Sequence, residues 1–187
     1  AFVDEKSMHR WLDKYAFGDE FTGKRNKVII NLLYQTGMRR SELIGLEVGS
    51  FYPAQKSLKV MGKRSKERLI PLSDSMVSEL EDYLQSRDTQ FPGSTVSSLL
   101  LTQSGKPVYP NLIYRTVKNY LGLVTTLDKR SPHILRHTFA THMLNKGADL
   151  NAIKELLGHA NLSATQVYTH NTFEKLKTIY KQAHPRA

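Results

Sequence analysis

Residues 133–137 read His-Ile-Leu-Arg-His, and this short stretch decides how the rest of the chain is interpreted. On a helix, Arg136 and His137 fall three and four residues after His133, so these three side chains share one face. The two apolar residues between them point elsewhere. A face that carries one guanidinium and two imidazoles suits a phosphate group. The stretch therefore predicts a helix that presents an anion-binding surface.

A zinc site is the alternative interpretation of the same stretch. His133 and His137 have the spacing of a zinc pair, and His142 lies further along. A hydrolytic zinc helix normally carries a glutamate beside its first histidine, where this chain has Ile134. The spacing therefore favours phosphate over zinc.

A tyrosine follows at a distance that allows it to join this face. Leu156-Leu157-Gly158-His159 is typical of a helix end, and Tyr168 comes nine residues after His159. A phenol, whose ordinary pKa is near 10, must lose its proton or have that pKa lowered before it can attack. Half-buried packing is the common role of a lone tyrosine. The company of cationic groups makes Tyr168 a candidate nucleophile.

Two cationic motifs precede this region. Residues 36–43 read TGMRRSEL, so Gly37 ends one helix and Arg39 lies at a helix junction, where its guanidinium can grip two phosphate oxygens. Glu42 is expected to hold that guanidinium in place. The alternative for Arg39 and Arg40 is an exposed pair on a basic surface.

The second cationic motif, GKRSKER at residues 62–68, is predicted to form a hairpin turn. Lys63 can reach across a duplex groove from such a turn, and a lysine whose pKa is lowered by nearby positive charge can protonate a departing hydroxyl. The alternative is a solvated turn in which Lys63, Arg64, Lys66 and Arg68 contact backbone phosphates without chemistry. Spacing alone does not separate the two, nor does it identify which lysine is the acid.

The hydrophobic pattern predicts a mainly helical chain with one small three-stranded antiparallel sheet. Residues 28–33 have helical spacing, Ser73 is an expected N-cap, and Pro110 an expected first-turn residue. The expected strands are Val48–Tyr52, Ser57–Met61 and Arg68–Leu72, the expected loop is Asp88–Ser98, and the expected terminators are Gly147 and Gly158.

Composition narrows the class of protein. The 187 residues include 27 Lys plus Arg against 17 Asp plus Glu, a net charge of +10, which favours a polyanionic partner. There is no cysteine, so thiol chemistry and thiolate metal sites are excluded. No apolar run approaches a membrane span and no signal pattern is present, so we expect a cytoplasmic protein. One domain over residues 1–187 is expected, and the initial Ala1 favours a fragment of a longer chain.

Taken together, these motifs resemble one family. Arg39 in TGMRRSEL, Lys63 in GKRSKER, the His133–His137 stretch, LLG before His159 and QVYTH around Tyr168 are similar to the catalytic domain of tyrosine recombinases, the phage integrase family. The likeness is greatest to the Xer-type members and covers essentially the whole sequence. It does not cover the separate N-terminal core-binding domain with which these enzymes complete their clamp around DNA.

The resemblance implies a mechanism and a set of roles. Tyr168 would attack the scissile phosphate to give a 3′-phosphotyrosyl linkage and a free 5′-hydroxyl, with Lys63 as general acid. The implied catalytic residues are Arg39, Lys63, His133, Arg136, His159 and Tyr168. The phosphodiester energy is kept in the covalent intermediate, so neither ATP nor a metal or other cofactor is implied. Arg40, Arg64, Lys66 and Arg68 are DNA-binding candidates, and Glu42 and His137 are expected to support the catalytic set.

The resemblance also implies partners. Double-stranded DNA is the expected substrate, acted on near the nucleoid, in chromosome resolution or mobile-element integration. An amphipathic helix at 172–182 is expected to join four protomers, identical or of two kinds, into a tetramer, although cis packing on its own core is the simpler reading. The alternative functions are type IB topoisomerase-like relaxation of DNA and a catalytically silent helical DNA-binding domain.

Overall fold

The computed structural model describes residues 2–14, 17–124, 130–158 and 170–187, in which helices surround one small sheet. The helices of this part are α1 (Glu5–Lys14), α2 (Phe21–Thr36), α3 (Arg40–Ile44), α4 (Asp74–Gln90), α5 (Pro110–Val124), α6 (Pro132–Asn145), α7 (Leu150–Leu157) and α8 (His170–Ala183). The strands are β1 (Phe51–Tyr52), β2 (Ser57–Met61) and β3 (Glu67–Pro71). The expected fold class, mainly helical with a three-stranded antiparallel sheet, is confirmed.

Helix α2 forms the centre of the molecule. Every residue from Val28 to Thr36 is buried, because α4 and α6 both pack against it. Its end at Gly37 has φ +68°, and a Cβ there would lie 2.4 Å from the ring of Phe139 and 2.6 Å from Leu157. Only glycine allows this approach without displacing its neighbours. The end of α2 is thus held directly against α6 and α7.

The sheet has the order β1-β2-β3 with antiparallel pairing. Strands β2 and β3 pair over five residues, from Ser57 opposite Pro71 to Met61 opposite Glu67. The predicted first strand was too long, because Val48–Ser50 forms a 3₁₀ turn in which the Val48 N–H donates to Ser97 O. This bond takes the backbone away from the sheet.

Other predicted boundaries are mostly confirmed. The Ser73 hydroxyl accepts the Met76 N–H at 3.1 Å as an N-cap, and α5 begins at Pro110. Gly158 ends α7 in the left-handed conformation. The loop predicted from Asp88 is wrong at its start, since α4 continues to Gln90.

A second apolar cluster lies beside the α2 core and joins α6, α7 and α8. Its buried members are Phe139, Met143, Ile153, Leu156, Leu157, Leu176, Tyr180 and Ala183. Helix α8 also packs along β3, and His184 just beyond it is stacked on Tyr180 with ring centroids 5.1 Å apart. In this structure the amphipathic stripe of α8 therefore packs on its own chain.

The first described residues are tied to α6. The Val3 N–H donates to Thr138 Oγ1 at 3.0 Å, and Val3 O lies 2.8 Å from His142 Nε2. Near the other end, Arg186 forms an ion pair with Asp13 of α1 at 2.9 Å. In the described part of the chain, no helix has both the length and the apolar character needed to cross a bilayer.

Candidate active site

Arg39 lies where α2 turns into α3. Its backbone is extended and caps α3, and its N–H donates to Glu42 Oε1 at 2.8 Å. The Arg39 side chain is 28% exposed, with Nη1 3.8 Å from Glu42 Oε2. Glu42 was expected to hold the Arg39 guanidinium, but its shorter contact is with the Arg39 backbone N–H. The guanidinium is therefore left accessible to an anion.

Arg136 is anchored more deeply, on the buried side of α6. It is 9% exposed, Nη1 donates to Gly37 O at 2.6 Å, and Nη2 donates to Leu157 O at 3.0 Å. The side chain thus ties the end of α2 to the end of α7. Both carbonyls belong to helix ends, where backbone oxygens lack intrahelical donors.

The pKa of the Arg136 guanidinium is affected by the other charged side chains of the site. Burial, together with the positive charges of Arg39 and Arg68, lowers the pKa of the Arg136 guanidinium to about 10 against the opposing charge of Glu42. Three guanidinium groups and one carboxylate therefore share one small region. A phosphate placed there would relieve the repulsion between the cations.

Arg68 completes this cluster from β3. The residue is 7% exposed, and its guanidinium makes a two-pronged ion pair with Glu42, through Nη1 to Oε2 and through Nη2 to Oε1 at 3.2 Å. Burial alone would raise the pKa of the Glu42 carboxyl. The hydrogen bonds and charge of Arg68, with the Arg39 N–H, hold that pKa below its usual range.

Lys63 lies on the β2–β3 turn that rises from this ion pair. The turn is a 3₁₀ segment, Lys63–Ser65, in which Arg64 has φ +60°. Lys63, Arg64 and Lys66 are exposed, as is Arg40 at the start of α3. Arg68 differs from the solvated basic turn considered from sequence, because it is buried and paired. The strand alternation that buries Arg68 together with Ile70 was the signal in the sequence that could have identified this.

The histidines of α6 fall into two groups. His133 and His137 are exposed on the helix that carries Arg136. His142 is buried, with Nδ1 2.9 Å from the Tyr34 hydroxyl and Nε2 on Val3 O, so both ring nitrogens are engaged away from this face. Among the described residues, no three His, Asp or Glu side chains come together as a metal site.

Two predicted catalytic residues, His159 and Tyr168, lie outside the described residues. The described chain reaches Gly158, where an added Cβ would lie 2.9 Å from Arg68 Cζ. The end of α7 is therefore in contact with the arginine cluster. Of the six predicted catalytic residues, the structure brings Arg39 and Arg136 together and places Lys63 on the adjoining turn.

The fold is a helical domain in which a cluster of three arginines and one glutamate lies where the end of α2, the start of α3, the end of α7 and the β2–β3 turn meet. The profile of the phage integrase family matches residues 2–175, so the chain belongs to that family. The resemblance expected from the sequence is confirmed.

Named relatives agree with this assignment. The chain is 38% identical to tyrosine recombinase XerC of Chlorobaculum tepidum, over 100% of the chain and 61% of that protein. It is 42% identical to tyrosine recombinase XerD of Staphylococcus haemolyticus, over 88% of the chain and 56% of that protein. The chain thus spans little more than half the length of these relatives.

Solved structures give the same fold. The crystal structure of XerA recombinase superposes with a TM-score of 0.75 at 26% identity, covering 100% of this chain and 66% of that one. XerH recombinase bound to a palindromic difH substrate, a post-cleavage complex, gives 0.75 at 26% identity, covering 95% and 52%. The fold predicted from sequence, that of a tyrosine recombinase catalytic domain, is confirmed.

Proposed function

We propose that this chain is the catalytic domain of a site-specific DNA recombinase that cuts and rejoins double-stranded DNA through a 3′-phosphotyrosyl intermediate. One observation carries the proposal: the contacts of Glu42 with Arg39 and Arg68, and the consecutive α7 carbonyls held by Arg68 and Arg136, gather three guanidinium groups next to the turn that bears Lys63. Relatives named tyrosine recombinases, at about 40% identity, support it. In this proposal the core-binding domain typical of the family lies outside the chain.

The chemistry is a phosphoryl transfer in two steps. Tyr168 Oη attacks the scissile phosphorus, the bond from phosphorus to O5′ breaks, and the leaving oxygen takes a proton from Lys63. His133 assists removal of the tyrosine proton, and His159 hydrogen-bonds a nonbridging oxygen. In the second step a 5′-hydroxyl attacks the same phosphorus and releases the tyrosine.

In this mechanism Arg39 and Arg136 provide the electrostatic stabilisation. Both guanidinium groups would bind the nonbridging oxygens and stabilise the charge that develops on them, a term that commonly dominates catalysis. Arg136 is fixed by two carbonyl bonds, so it needs little reorganisation during reaction. Arg39 is the more exposed of the two and would meet the phosphate first.

The surface around the site fits a DNA backbone. Arg40, Arg64 and Lys66 are exposed and would contact flanking phosphates, and His137 on α6 would support His133. XerH in the solved complexes is bound to its difH substrate. We extend that kind of partner to this chain, which would act on DNA in the cytoplasm, associated with the nucleoid.

We also propose assembly of a tetramer on two duplexes through residues 172–182. The apolar side chains Leu176 and Tyr180 of α8 pack on their own chain here, so exchange between protomers requires release of this face. Analytical ultracentrifugation with paired duplexes should detect a DNA-dependent tetramer. Monomers alone at saturating DNA would contradict this assembly.

The decisive experiment uses a nicked suicide duplex with the full-length protein. We expect a denaturant-resistant protein–DNA adduct that persists in EDTA and disappears in Tyr168→Phe. The matched control is Tyr52→Phe on β1, which removes a phenol at the sheet edge away from β3 and should keep the adduct. An adduct that survives Tyr168→Phe would refute this nucleophile, and a wild-type protein that binds DNA without any adduct would favour a silent DNA-binding domain.

A further inference from the structure

The guanidinium of Arg68 connects three separate elements. From β3 it bonds both carboxylate oxygens of Glu42 on α3, and its Nε donates to Leu156 O at 3.2 Å, at the end of α7. Its side chain is 8% exposed. No other DNA-contact candidate from the sequence is buried, since Arg40, Arg64 and Lys66 are exposed.

Through Glu42, Arg68 acts on Arg39. The carboxylate that Arg68 grips with two N–H groups also accepts the Arg39 backbone N–H at 2.8 Å. A planar guanidinium orients a carboxylate in a way that an ammonium cannot, because its two donors are fixed in one plane. Arg68 therefore orients the Glu42 carboxylate, and the carboxylate in turn binds the backbone N–H of Arg39.

At the end of α7, Arg68 and Arg136 hold consecutive carbonyls. Arg68 Nε binds Leu156 O, and Arg136 Nη2 binds Leu157 O. Gly158 then adopts φ +69° directly against the Arg68 guanidinium, where any Cβ would collide with it. Two arginines thus fix the point from which the chain continues toward His159 in sequence.

The same ion pair supports the turn of Lys63. A Cβ on Gly62 would lie 3.3 Å from Glu42 Oε2 and 3.4 Å from Arg68 Nη1, so the base of the turn rests on the pair. Lys63 is the next residue. The buried Arg68 side chain is thus in contact with the carboxylate beside Arg39, the base of the Lys63 turn and the end of α7.

We propose that Arg68 is a positioning residue for strand cleavage and does not contact DNA. This inference rests on the proposed recombinase function. Arg68 holds Glu42, the Lys63 turn and the end of α7 in register, so that the groups touching the phosphate meet it together. The role requires the forked geometry of arginine, and positive charge alone does not fulfil it.

The test is single-turnover adduct formation on the suicide duplex at saturating full-length protein. Arg68→Lys keeps the charge but loses the fork, and we expect roughly 10- to 100-fold slower cleavage, the scale of a misplacement near 1 Å. The DNA dissociation constant should stay within about twofold of wild type, because a residue that does not touch DNA carries none of the phosphate contacts.

The matched control is Arg87→Lys. Arg87 is also buried, and its Nη2 donates to Val96 O and Ser98 O at the far end of α4. Arg87→Lys disturbs two buried bonds to carbonyls, so its stability should fall, but its cleavage rate per folded molecule should match wild type. If Arg68→Lys folds poorly, the neutral pair Glu42→Gln/Arg68→Gln avoids an uncompensated buried charge and should bind DNA yet cleave slowly.

The outcomes separate the two proposals. If the wild-type protein cleaves and folded Arg68→Lys, or the neutral pair, cleaves at the same rate, the positioning role is overturned and the recombinase function stands. A large loss of DNA affinity with an unchanged rate at saturation would instead make Arg68 a phosphate contact. A wild-type protein that forms no adduct overturns both proposals.

Discussion

At the scale of single residues, the site contains two kinds of cationic side chain: buried ones fixed by hydrogen bonds, and exposed ones that can extend toward a bound phosphate. Arg136 and Arg68 are buried and hold helix-end carbonyls, whereas Lys63 and Lys66 project from an exposed turn. Fixed donors suit charge stabilisation, and a reaching side chain suits proton delivery. The two lysines are neighbours of similar exposure, so chemistry must tell them apart.

Lys63→Ala should slow cleavage of an ordinary duplex by about 10²- to 10⁴-fold, the range of a lost general acid. A duplex with sulfur in place of the bridging O5′ should recover most of that rate, because a thiolate leaves without a proton. Rates on both substrates, with Lys66→Ala as the control, measure this. A rescue confined to Lys66→Ala would move the acid to that residue.

Residue identities at the site were only partly predictable. The pairing of Arg39 with Arg136 follows from two motifs that each predict a phosphate grip, although nearly a hundred residues separate them. The burial of Arg68 was missed because four cations in one turn were treated alike. Its partner, Glu42, comes from a distant helix, and only the folded chain brings the two together.

At the scale of elements, α8 and the segment after it carry a pH-sensitive contact. His184 is 4% exposed, and its ring packs on Tyr180, Phe139 and Tyr34. Burial, together with the nearby His142, His9 and Arg186, lowers the pKa of His184 to about 3 against the opposing hydrogen bond to Tyr34 O. Burial likewise lowers the pKa of His9 and His142.

Acid should therefore destabilise the folded chain. The unfolded state binds protons near pH 6.5 while the folded state does not, so the stability from neutral His184 is complete above pH 6.5 and declines as pH falls toward 3. The slope approaches about 1.4 kcal/mol per pH unit for one histidine. Urea unfolding between pH 4 and 7.5 measures it.

His184→Phe keeps the aromatic packing and should flatten this slope by one proton, while the histidines at 9 and 142 keep their share. Gln182→Ala, a change at an exposed uncharged position of α8, is the control and should leave the profile unchanged. An unaltered slope in His184→Phe would mean that His184 is accessible to protons in the folded state.

The predicted element boundaries were correct where interactions between neighbouring residues determine them. The Ser73 cap and the Pro110 start are local signals, and both are confirmed. The first strand and the end of α4 were misjudged because tertiary bonds decide them. The Val48 N–H donates to Ser97 O and not to a neighbouring strand. The Arg87 guanidinium, near the end of α4, donates to Val96 O and Ser98 O.

At the scale of the whole molecule, the net charge of +10 predicts how the protein meets DNA. Neutralising six to ten phosphates should lower affinity by on the order of 10³- to 10⁵-fold between 50 and 200 mM salt. Fluorescence anisotropy across this range tests it. Arg64→Gln should reduce the salt slope by about 1, because Arg64 is an exposed cation of the turn.

The control for that measurement is Arg25→Gln. Arg25 is buried and its guanidinium bonds Asn26 and Leu101 O, so it should not release a counterion when DNA binds. An equal change of slope in both variants would show that the slope reports overall charge and not contacts at the turn.

The bonds between Val3 and α6 give the molecule a mechanical property. A force applied at residue 2 would act on the hydrogen bonds from Val3 to Thr138 and His142. These two residues lie two and six positions after Arg136 on α6. Because Arg136 belongs to the same helix, a displacement of Val3 would be passed through these two hydrogen bonds to the helix that carries its guanidinium.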